Sequence, residues 1–141
     1  MSYPQKRFTT IEETWDSAGR KGRPVTTVET YTSLTEIDPG REVVVGVSTT
    51  LTLWSTSDQI QTFSYFQIEN KSTTLSLLVE LTTSVGTDWA VFTIPAGGLL
   101  RIPSNVTYDT QLTGTLGTFT TIKVKNADAS STITLRFEIG R

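Results

Sequence analysis

The sequence contains neither cysteine nor histidine. Without cysteine, the chain forms no disulfide and offers no thiolate to a metal or a substrate. Without histidine, it lacks the commonest metal-binding ring and the base of the usual catalytic triads. We therefore expect a protein that is not an enzyme, with no catalytic residues, no cofactor and no metal.

Long hydrophobic runs are also missing. No stretch approaches the roughly 18 apolar residues that cross a bilayer, and the opening MSYPQKRFTT has no apolar segment of a secretory signal. We expect no membrane partner and synthesis in a host cytoplasm. Hydrophobic residues make up 36% of the 141 residues, which is enough for one folded domain with a core.

Positive charge is scarce and unevenly placed. The net charge is -2 and the pI is about 5.1, which is the wrong sign for binding phosphates, so we expect no nucleic-acid partner. Residues 1–24 hold five basic and three acidic residues, a net charge of +2, whereas the remaining seven basic and eleven acidic residues give -4. A basic segment therefore precedes an acidic body.

Residues 1–24 are interpreted as an N-terminal arm. Thr10 and Glu13 match a capping box, and Phe8, Ile11 and Trp15 are spaced to share one face of a short helix. Residues 18–24 read as a flexible basic hinge. A disordered tail is the alternative, but large apolar side chains are costly to leave in water. We expect the arm to bind a partner through Phe8, Ile11, Trp15, Arg20, Lys21 and Arg23.

Residues 25–141 are interpreted as one β-domain. Apolar and polar residues alternate with a period of two, as in antiparallel strands with one face buried. Turn-forming residues separate these runs, among them Asp38, Pro39 and Gly40. The pattern predicts an all-β fold, an antiparallel, jelly-roll-like β-sandwich. The clearest runs are 47–53, 75–82 and 132–139, and further strands are expected around 25–37, 60–69, 88–94, 99–103, 106–112 and 118–125.

An internal similarity links residues 66–81 with residues 122–139. Each segment runs from a strand through an asparagine and a polar turn into a second alternating strand. One interpretation is that any hairpin over a core has this form. The other is a jelly roll built from two related Greek keys.

Several residues are candidates for ligand-binding, catalytic or glycosylation sites. Trp54 and Trp89 are possible ligand-facing aromatics for stacking on a sugar. Glu80 and Glu138 lie on the outward parity of their strands, where solvation accounts for them. Asn70-Lys71-Ser72 and Asn105-Val106-Thr107 match the glycosylation triplet, which such a Ser- and Thr-rich chain produces by chance.

From about residue 63 onward the chain resembles the small β-sandwich virion structural proteins of tailed bacteriophages, especially capsid decoration or cement proteins. The resemblance is carried by FQIENKSTTLSLLVEL, DWAVFTIPAGGLLRIPS and STITLRFEIGR. It implies a jelly roll or related sandwich on the capsid surface that clamps the major capsid protein shell, often as a homotrimer, and often reaches across subunits with a terminal arm. It brings no catalytic residues.

Two other functions stay open at this point. The chain could belong elsewhere in the virion, to a head-tail neck, a tail or a fibre, where it would bind other virion proteins. A carbohydrate-binding module that uses Trp54 or Trp89 is the alternative from a different class.

Overall fold

The computed structural model describes residues 3–12, 25–34, 37–84, 88–102, 104, 106–108 and 116–141. Within these ranges the chain forms eleven β-strands and no helix. The strands are β1 (Tyr3–Glu12), β2 (Val25–Leu34), β3 (Ile37–Val45), β4 (Thr50–Ser55), β5 (Tyr65–Asn70), β6 (Leu77–Thr83), β7 (Asp88–Ile94), β8 (Leu99–Ile102), β9 (Val106–Tyr108), β10 (Leu116–Lys125) and β11 (Ile133–Gly140).

The chain divides into two compact units, Met1–Thr35 and Glu36–Arg141. In the first unit, β1 and β2 form an antiparallel hairpin that pairs Tyr3 with Leu34 at one end and Glu12 with Val25 at the other. The expected boundary after residue 24 therefore falls between the two strands of this hairpin. The strand expected at residues 25–37 is present, but it pairs with the arm.

The short helix expected in the arm is wrong for residues 3–12. Phe8 and Ile11 lie in strand β1, in register with Glu29 and Thr26 of β2. Pairing with a strand rich in threonine and valine overrides the local capping pattern, because β propensity depends on the neighbouring strand. The remaining four residues expected to bind a partner lie outside the described residues, namely Trp15, Arg20, Lys21 and Arg23.

The second unit is a jelly roll of two antiparallel sheets. Sheet I has the order β4-β10-β6-β7, with β9 also paired to β10, and sheet II has the order β3-β11-β5-β8. If the eight main strands are numbered along the chain without β9, the orders are 2-7-4-5 and 1-8-3-6. These orders are those of the two interlocked Greek keys of a jelly roll. The expected fold class is confirmed.

The core lies between the two sheets and contains inward residues from both. The alternation along β6 and β11 is the one that the sequence predicts, with Leu77, Val79 and Leu81 at most 1% exposed. Phe66 and Phe137 stack across β5 and β11 with ring centroids 5.8 Å apart. Burying each such side chain stabilises the fold by about 1.5–3 kcal/mol.

The expected turn at Asp38, Pro39 and Gly40 lies inside strand β3. The ladder between β3 and β11 shifts register there, from Arg41 opposite Phe137 to Asp38 opposite Ile139. Proline donates no backbone hydrogen bond and is tolerated at a bulge in an edge strand. Gly40, with φ +90, supplies the conformation that the bulge requires.

Candidate interaction surfaces

Asn70 fixes the loop between β5 and β6 to the neighbouring β7–β8 turn. Its side-chain N–H groups donate to the carbonyl oxygens of Leu75 at 2.8 Å, Pro95 at 3.1 Å and Ile94 at 3.2 Å. Its Oδ1 accepts from the backbone N–H of Ser72 at 3.0 Å. Because Asn70 is 0% exposed and fully hydrogen-bonded, the triplet it begins is not an available glycosylation site.

Asn126 fixes the loop between β10 and β11 to the end of strand β3. Its side-chain N–H groups donate to the carbonyl oxygens of Ser131 at 2.8 Å and Val45 at 3.3 Å. Its Oδ1 accepts from the backbone N–H of Asp128 at 2.9 Å, and Asn126 is also 0% exposed. Each asparagine therefore accepts a hydrogen bond from the N–H group two residues ahead and donates to the carbonyl oxygen five residues ahead. Each also donates to the carbonyl oxygen of the last residue of a strand in the other sheet.

The turns that meet these loops match as well. The Gly97 N–H donates to the Ser72 carbonyl, and the Ser48 N–H donates to the Asp128 carbonyl, both at 2.9 Å. Gly97 has φ 71 and Ser48 has φ 50, the positive value that the third residue of a type II turn requires. Such a value is uncommon for a residue other than glycine.

Residues 37–83 and 88–140 are therefore two structurally related halves. By these matching contacts, strand β3 of the first half corresponds to β7 of the second, β4 to β8, β5 to β10 and β6 to β11. This agrees with the second interpretation of the internal similarity, because β5–β6 and β10–β11 each connect the two sheets and are not hairpins. The four connections meet at one end of the sandwich, here named the pinned end: residues 46–49, 71–76, 95–98 and 126–132.

Asp128 lies at the pinned end and has a clearly shifted pKa. Its pKa is lowered from the ordinary value of 3.8, first by the backbone N–H of Ser130 and then by the backbone N–H of Ser131 and the Ser130 hydroxyl. These groups donate to Oδ1 at 2.8, 2.7 and 2.9 Å. In the other half, Ser72 is the residue that corresponds to Asp128, and its hydroxyl accepts hydrogen bonds from the N–H groups of Thr74 and Leu75.

Glu138 differs from the sequence expectation of a solvated carboxylate. It faces outward from sheet II, but it is only 6% exposed, and its Oε1 accepts a 2.6 Å hydrogen bond from the Tyr65 hydroxyl. Tyr65 is 0% exposed. A Cβ at Gly140 would overlap Tyr65 Cε1 and lie 2.9 Å from Cζ, so this pair requires glycine at position 140.

Trp54 is not a ligand-facing aromatic. It is 2% exposed in the core, its ring meets Phe63 edge to face with centroids 5.0 Å apart, and its indole N–H donates to the Ile60 carbonyl at 2.6 Å. A ring enclosed in this way offers no face to a sugar. Trp89 lies in strand β7, and its side chain is outside the described residues.

The large apolar side chains that the structure describes as exposed lie on the two narrow sides of the sandwich. We name the β3–β4 side after the edge strands of sheets II and I that meet there, and the β7–β8 side after the opposite pair. All five large exposed apolar residues of the described chain lie on these sides, and none lies on the central strands. They are Val44 (58% exposed) and Val47 (43%) on the β3–β4 side, and Val91 (61%), Phe92 (39%) and Leu99 (49%) on the β7–β8 side.

The residues expected to form a site and those that the structure brings together differ. Phe8 and Ile11 share a strand of the first unit, whereas the pinned end and the narrow sides belong to the second unit. The sequence signal for the pinned end is the asparagine that recurs in the two similar segments, 66–81 and 122–139. The narrow sides had no local signal, because strand order decides which strands lie at an edge.

Two further features bear on ligands and membranes. Among the described residues, no group of three or more Asp or Glu side chains is placed to hold a metal ion. That same part of the chain contains no helix long and apolar enough to cross a membrane.

Comparison with known proteins leaves the family open. No protein-family model matches the chain, and no curated protein matches it. Among solved structures, the chain is similar to a chain in the structure of infectious bursal disease virus, Gx strain, with 13% sequence identity and a TM-score of 0.35. The match covers 99% of the present chain but only 32% of the viral chain. At this TM-score the likeness says nothing about function.

Proposed function

We propose that this chain is a non-enzymatic virion structural protein, and specifically a capsid decoration protein of a tailed bacteriophage that binds the major capsid protein shell as a homotrimer. The observation that carries the proposal is the jelly-roll strand order, 2-7-4-5 and 1-8-3-6. This is an architecture of viral capsid and lectin domains. The resemblance of residues 63–141 to decoration proteins favours the capsid.

The pinned end suits a protein whose task is to hold its shape under load. Two buried asparagines and two matching turns fix four connections by hydrogen bonds between side chain and main chain. Loops held in this way lose little conformational freedom on binding, so less of the interface energy is spent in ordering them. A rigid body of this kind can bind many equivalent sites on a shell in the same way.

The chemistry of the whole sequence supports a non-enzymatic role. Neither histidine nor cysteine is present, so an imidazole base or a thiol nucleophile is not available at any position. Catalysis by carboxylates would need a facing pair, and the buried carboxylate of Glu138 instead accepts a hydrogen bond from Tyr65.

The β1–β2 hairpin supports a role for the arm in binding. It forms a two-stranded sheet of its own, and an isolated two-stranded hairpin is marginally stable in water. Docking on a partner protein would stabilise a sheet of only two strands. Phe8 and Ile11 are the residues we assign to this contact.

Cosedimentation with empty capsid shells assembled without this protein tests the proposal. The full chain is expected to sediment with the shells at a saturable ratio, and Phe8→Ala and Ile11→Ala to weaken binding by about tenfold each, from about 1.5 kcal/mol of lost burial. Thr9→Ala is the matched control, because Thr9 is exposed in the same strand. Absence of saturable binding to shells would refute the capsid role.

Two results would move the assignment elsewhere. Electron microscopy that places the chain at the neck, the tail or a fibre would keep the virion role and change the partner. Saturable binding on a glycan array that is lost in Trp89→Ala would replace the proposal by a carbohydrate-binding function, since jelly rolls also form lectin domains.

A further inference from the structure

The two narrow sides of the sandwich have matching strand directions. Strands β3 and β7 run toward the pinned end, and β4 and β8 run away from it. Each narrow side therefore presents one strand of each direction, and the described strands leave the outer edges of β3, β4, β7 and β8 without a neighbouring strand. Unpaired edges of this kind are templates for another chain.

We propose that the β7–β8 side of one copy binds the β3–β4 side of the next copy, so that both sheets continue from copy to copy. The occupant of each side is thus a second copy of this chain. This surface is a property of the sandwich itself, and it does not require the shell partner proposed above.

Strand direction favours this arrangement. When two copies stand side by side with their pinned ends pointing the same way, β8 meets β3 of the next copy in sheet II, and β7 meets β4 of the next copy in sheet I. Both encounters are antiparallel. Antiparallel pairing is also the pattern within each sheet, so the ladder continues without a change of direction.

Side-chain character selects the register in sheet II. On the outer face of β8, Leu99 lies nearer the pinned end than Arg101 does. On the outer face of β3, Val44 lies nearer the pinned end than Glu42 does. Aligning Leu99 with Val44 of the next copy therefore places Arg101 opposite Glu42 of the next copy. The apolar pair covers two side chains that are 49% and 58% exposed, and opposite charges in cross-strand positions attract.

Arg101 also makes contacts within its own copy. Its Nε donates to Gln67 Oε1 at 3.0 Å within sheet II, and a guanidinium has five N–H donors in all. Glu42 is exposed and lies opposite Arg136 in the ladder between β3 and β11. The carboxylate of Glu42 would then stand between Arg136 of its own copy and Arg101 of the adjacent copy.

Sheet I has an uncharged edge strand, β4, on one side and an edge strand with a single charged residue, β7, on the other. The outer face of β7 carries Val91 and Thr93, and that of β4 carries Thr50 and Thr52. Natural edge strands usually carry lysine, proline or an inward charge that prevents pairing. The sequence of β4 has none of these, and the one charged residue of β7 is Asp88 at its start. These edges are therefore suited to pairing.

Because two different sides meet, the contact is heterologous. A heterologous contact closes into a ring when its rotation divides a full turn and otherwise forms an open filament. The proposed homotrimer is one such ring. An isologous dimer, in which one side meets the same side of a second copy, is the competing arrangement.

Charge reversal in the full-length chain tests the inference, with sedimentation velocity as the measurement. The wild type is expected to self-associate below about 1 mM. Arg101→Glu and Glu42→Arg are each expected to raise the dissociation constant by about tenfold or more, since like charges then face each other. An equimolar mixture of the two variants is expected to associate more tightly than either variant alone, because β8 of each variant then meets an opposite charge on β3 of the other. A three-membered ring of mixed variants satisfies two of its three contacts.

Lys125→Glu is the matched control, because Lys125 is exposed on the central strand β10 and is expected to leave association unchanged. If thermal melting shows that either reversal unfolds the chain, Arg101→Gln and Glu42→Gln replace the pair. Each is then expected to weaken association. Mixing the two is expected to restore the contact in which β8 of Glu42→Gln meets β3 of Arg101→Gln, because that contact keeps both wild-type charges.

Three outcomes would overturn the inference. They are a wild type that stays monomeric, charge variants that behave like Lys125→Glu, and a mixture of reversed variants that associates no more tightly than either variant alone. Either of the first two would show that the two sides do not bind each other, and the third would indicate that like sides meet. None of them decides shell binding, which is measured separately by cosedimentation.

Discussion

Asn70 and Asn126 make the same hydrogen bonds in the two halves of the sandwich. Each accepts from the N–H group two residues ahead and donates to the carbonyl oxygen five residues ahead. Each also donates to the last carbonyl of a strand in the opposite sheet, Ile94 for Asn70 and Val45 for Asn126. One amide side chain thus joins a loop to both sheets in each half.

Removing either amide is expected to destabilise the protein. Asn70→Ala and Asn126→Ala leave buried carbonyl oxygens without their donors, and an unsatisfied buried polar group costs about 1–3 kcal/mol. We expect each variant to lower the free energy of unfolding in urea by that amount. Thr73→Ala, at an exposed position in the same loop as Asn70, is expected to change it by less than about 0.5 kcal/mol.

The double variant tests whether the two sites act separately. They share no hydrogen-bond partner, so their costs are expected to add within about 0.5 kcal/mol. A cost for either single variant no larger than that of Thr73→Ala would contradict the structural role of these asparagines.

The part of this fold that the sequence predicts is the part fixed by local alternation. In β6 and β11, apolar residues at every second position became the inner face, from Leu77 to Leu81 and from Ile133 to Ile139. Burial on one side of a strand is a periodic signal that a single sequence carries. The fold class followed from several such strands and their spacing.

The sequence predicts the local structure wrongly where contacts with a distant part of the chain determine it. Val47 was expected to face inward on a strand over 47–53, but it lies in the turn before β4 and is 43% exposed. That turn is held by the Asp128 carbonyl, far along the sequence. Similarly, the capping pattern at Thr10 is local, whereas the pairing of β1 with β2 is not.

The candidate surfaces were predicted least well for the same reason. Alternation gives the face of a side chain but not the place of its strand in the sheet. Val91 and Lys123 lie on the same face of sheet I, yet only Val91 is on an edge strand. Strand order results from long-range pairing, so the exposed apolar sides became visible only in the folded chain.

Gly140 provides a further test of packing. In Gly140→Ala the new methyl group would overlap the buried Tyr65 ring, and overpacking of this kind costs about 1–3 kcal/mol. We expect urea unfolding to show that loss. In a Tyr65→Ala background the same substitution is expected to cost much less, because the ring that it meets is gone. An equal cost in both backgrounds would show that another contact constrains Gly140.

The hydrogen bond between Tyr65 and Glu138 is expected to contribute to stability. Tyr65→Phe keeps the ring but removes the donor to Glu138 Oε1, and hydrogen bonds to charged groups contribute about 1.5–3 kcal/mol. We expect a loss of that size in urea unfolding at neutral pH. In a Glu138→Gln background, where the acceptor is neutral, the effect of Tyr65→Phe is expected to be smaller. A larger effect there would contradict a charge-assisted bond.

Asp128 gives the stability of the protein an acid-dependent component. Its pKa in the folded chain lies below the ordinary value of 3.8 because the N–H groups of Ser130 and Ser131 and the Ser130 hydroxyl donate to the carboxylate. As pH falls, the unfolded chain therefore binds this proton before the folded chain does. The stabilisation is complete above the unfolded pKa and is lost as pH falls through the lower folded pKa.

Asp128→Asn isolates this dependence, because asparagine keeps an acceptor oxygen but does not titrate. Below about pH 4, we expect urea unfolding of the wild type to lose stability more steeply with falling pH than that of the variant. Above that pH, the difference between the two proteins is expected to be constant. Glu80→Gln is the control, since Glu80 lies on the central strand β6 and contacts Lys123 of β10. Parallel acid limbs for the wild type and Asp128→Asn would show that the Ser130 and Ser131 contacts do not favour the charged carboxylate.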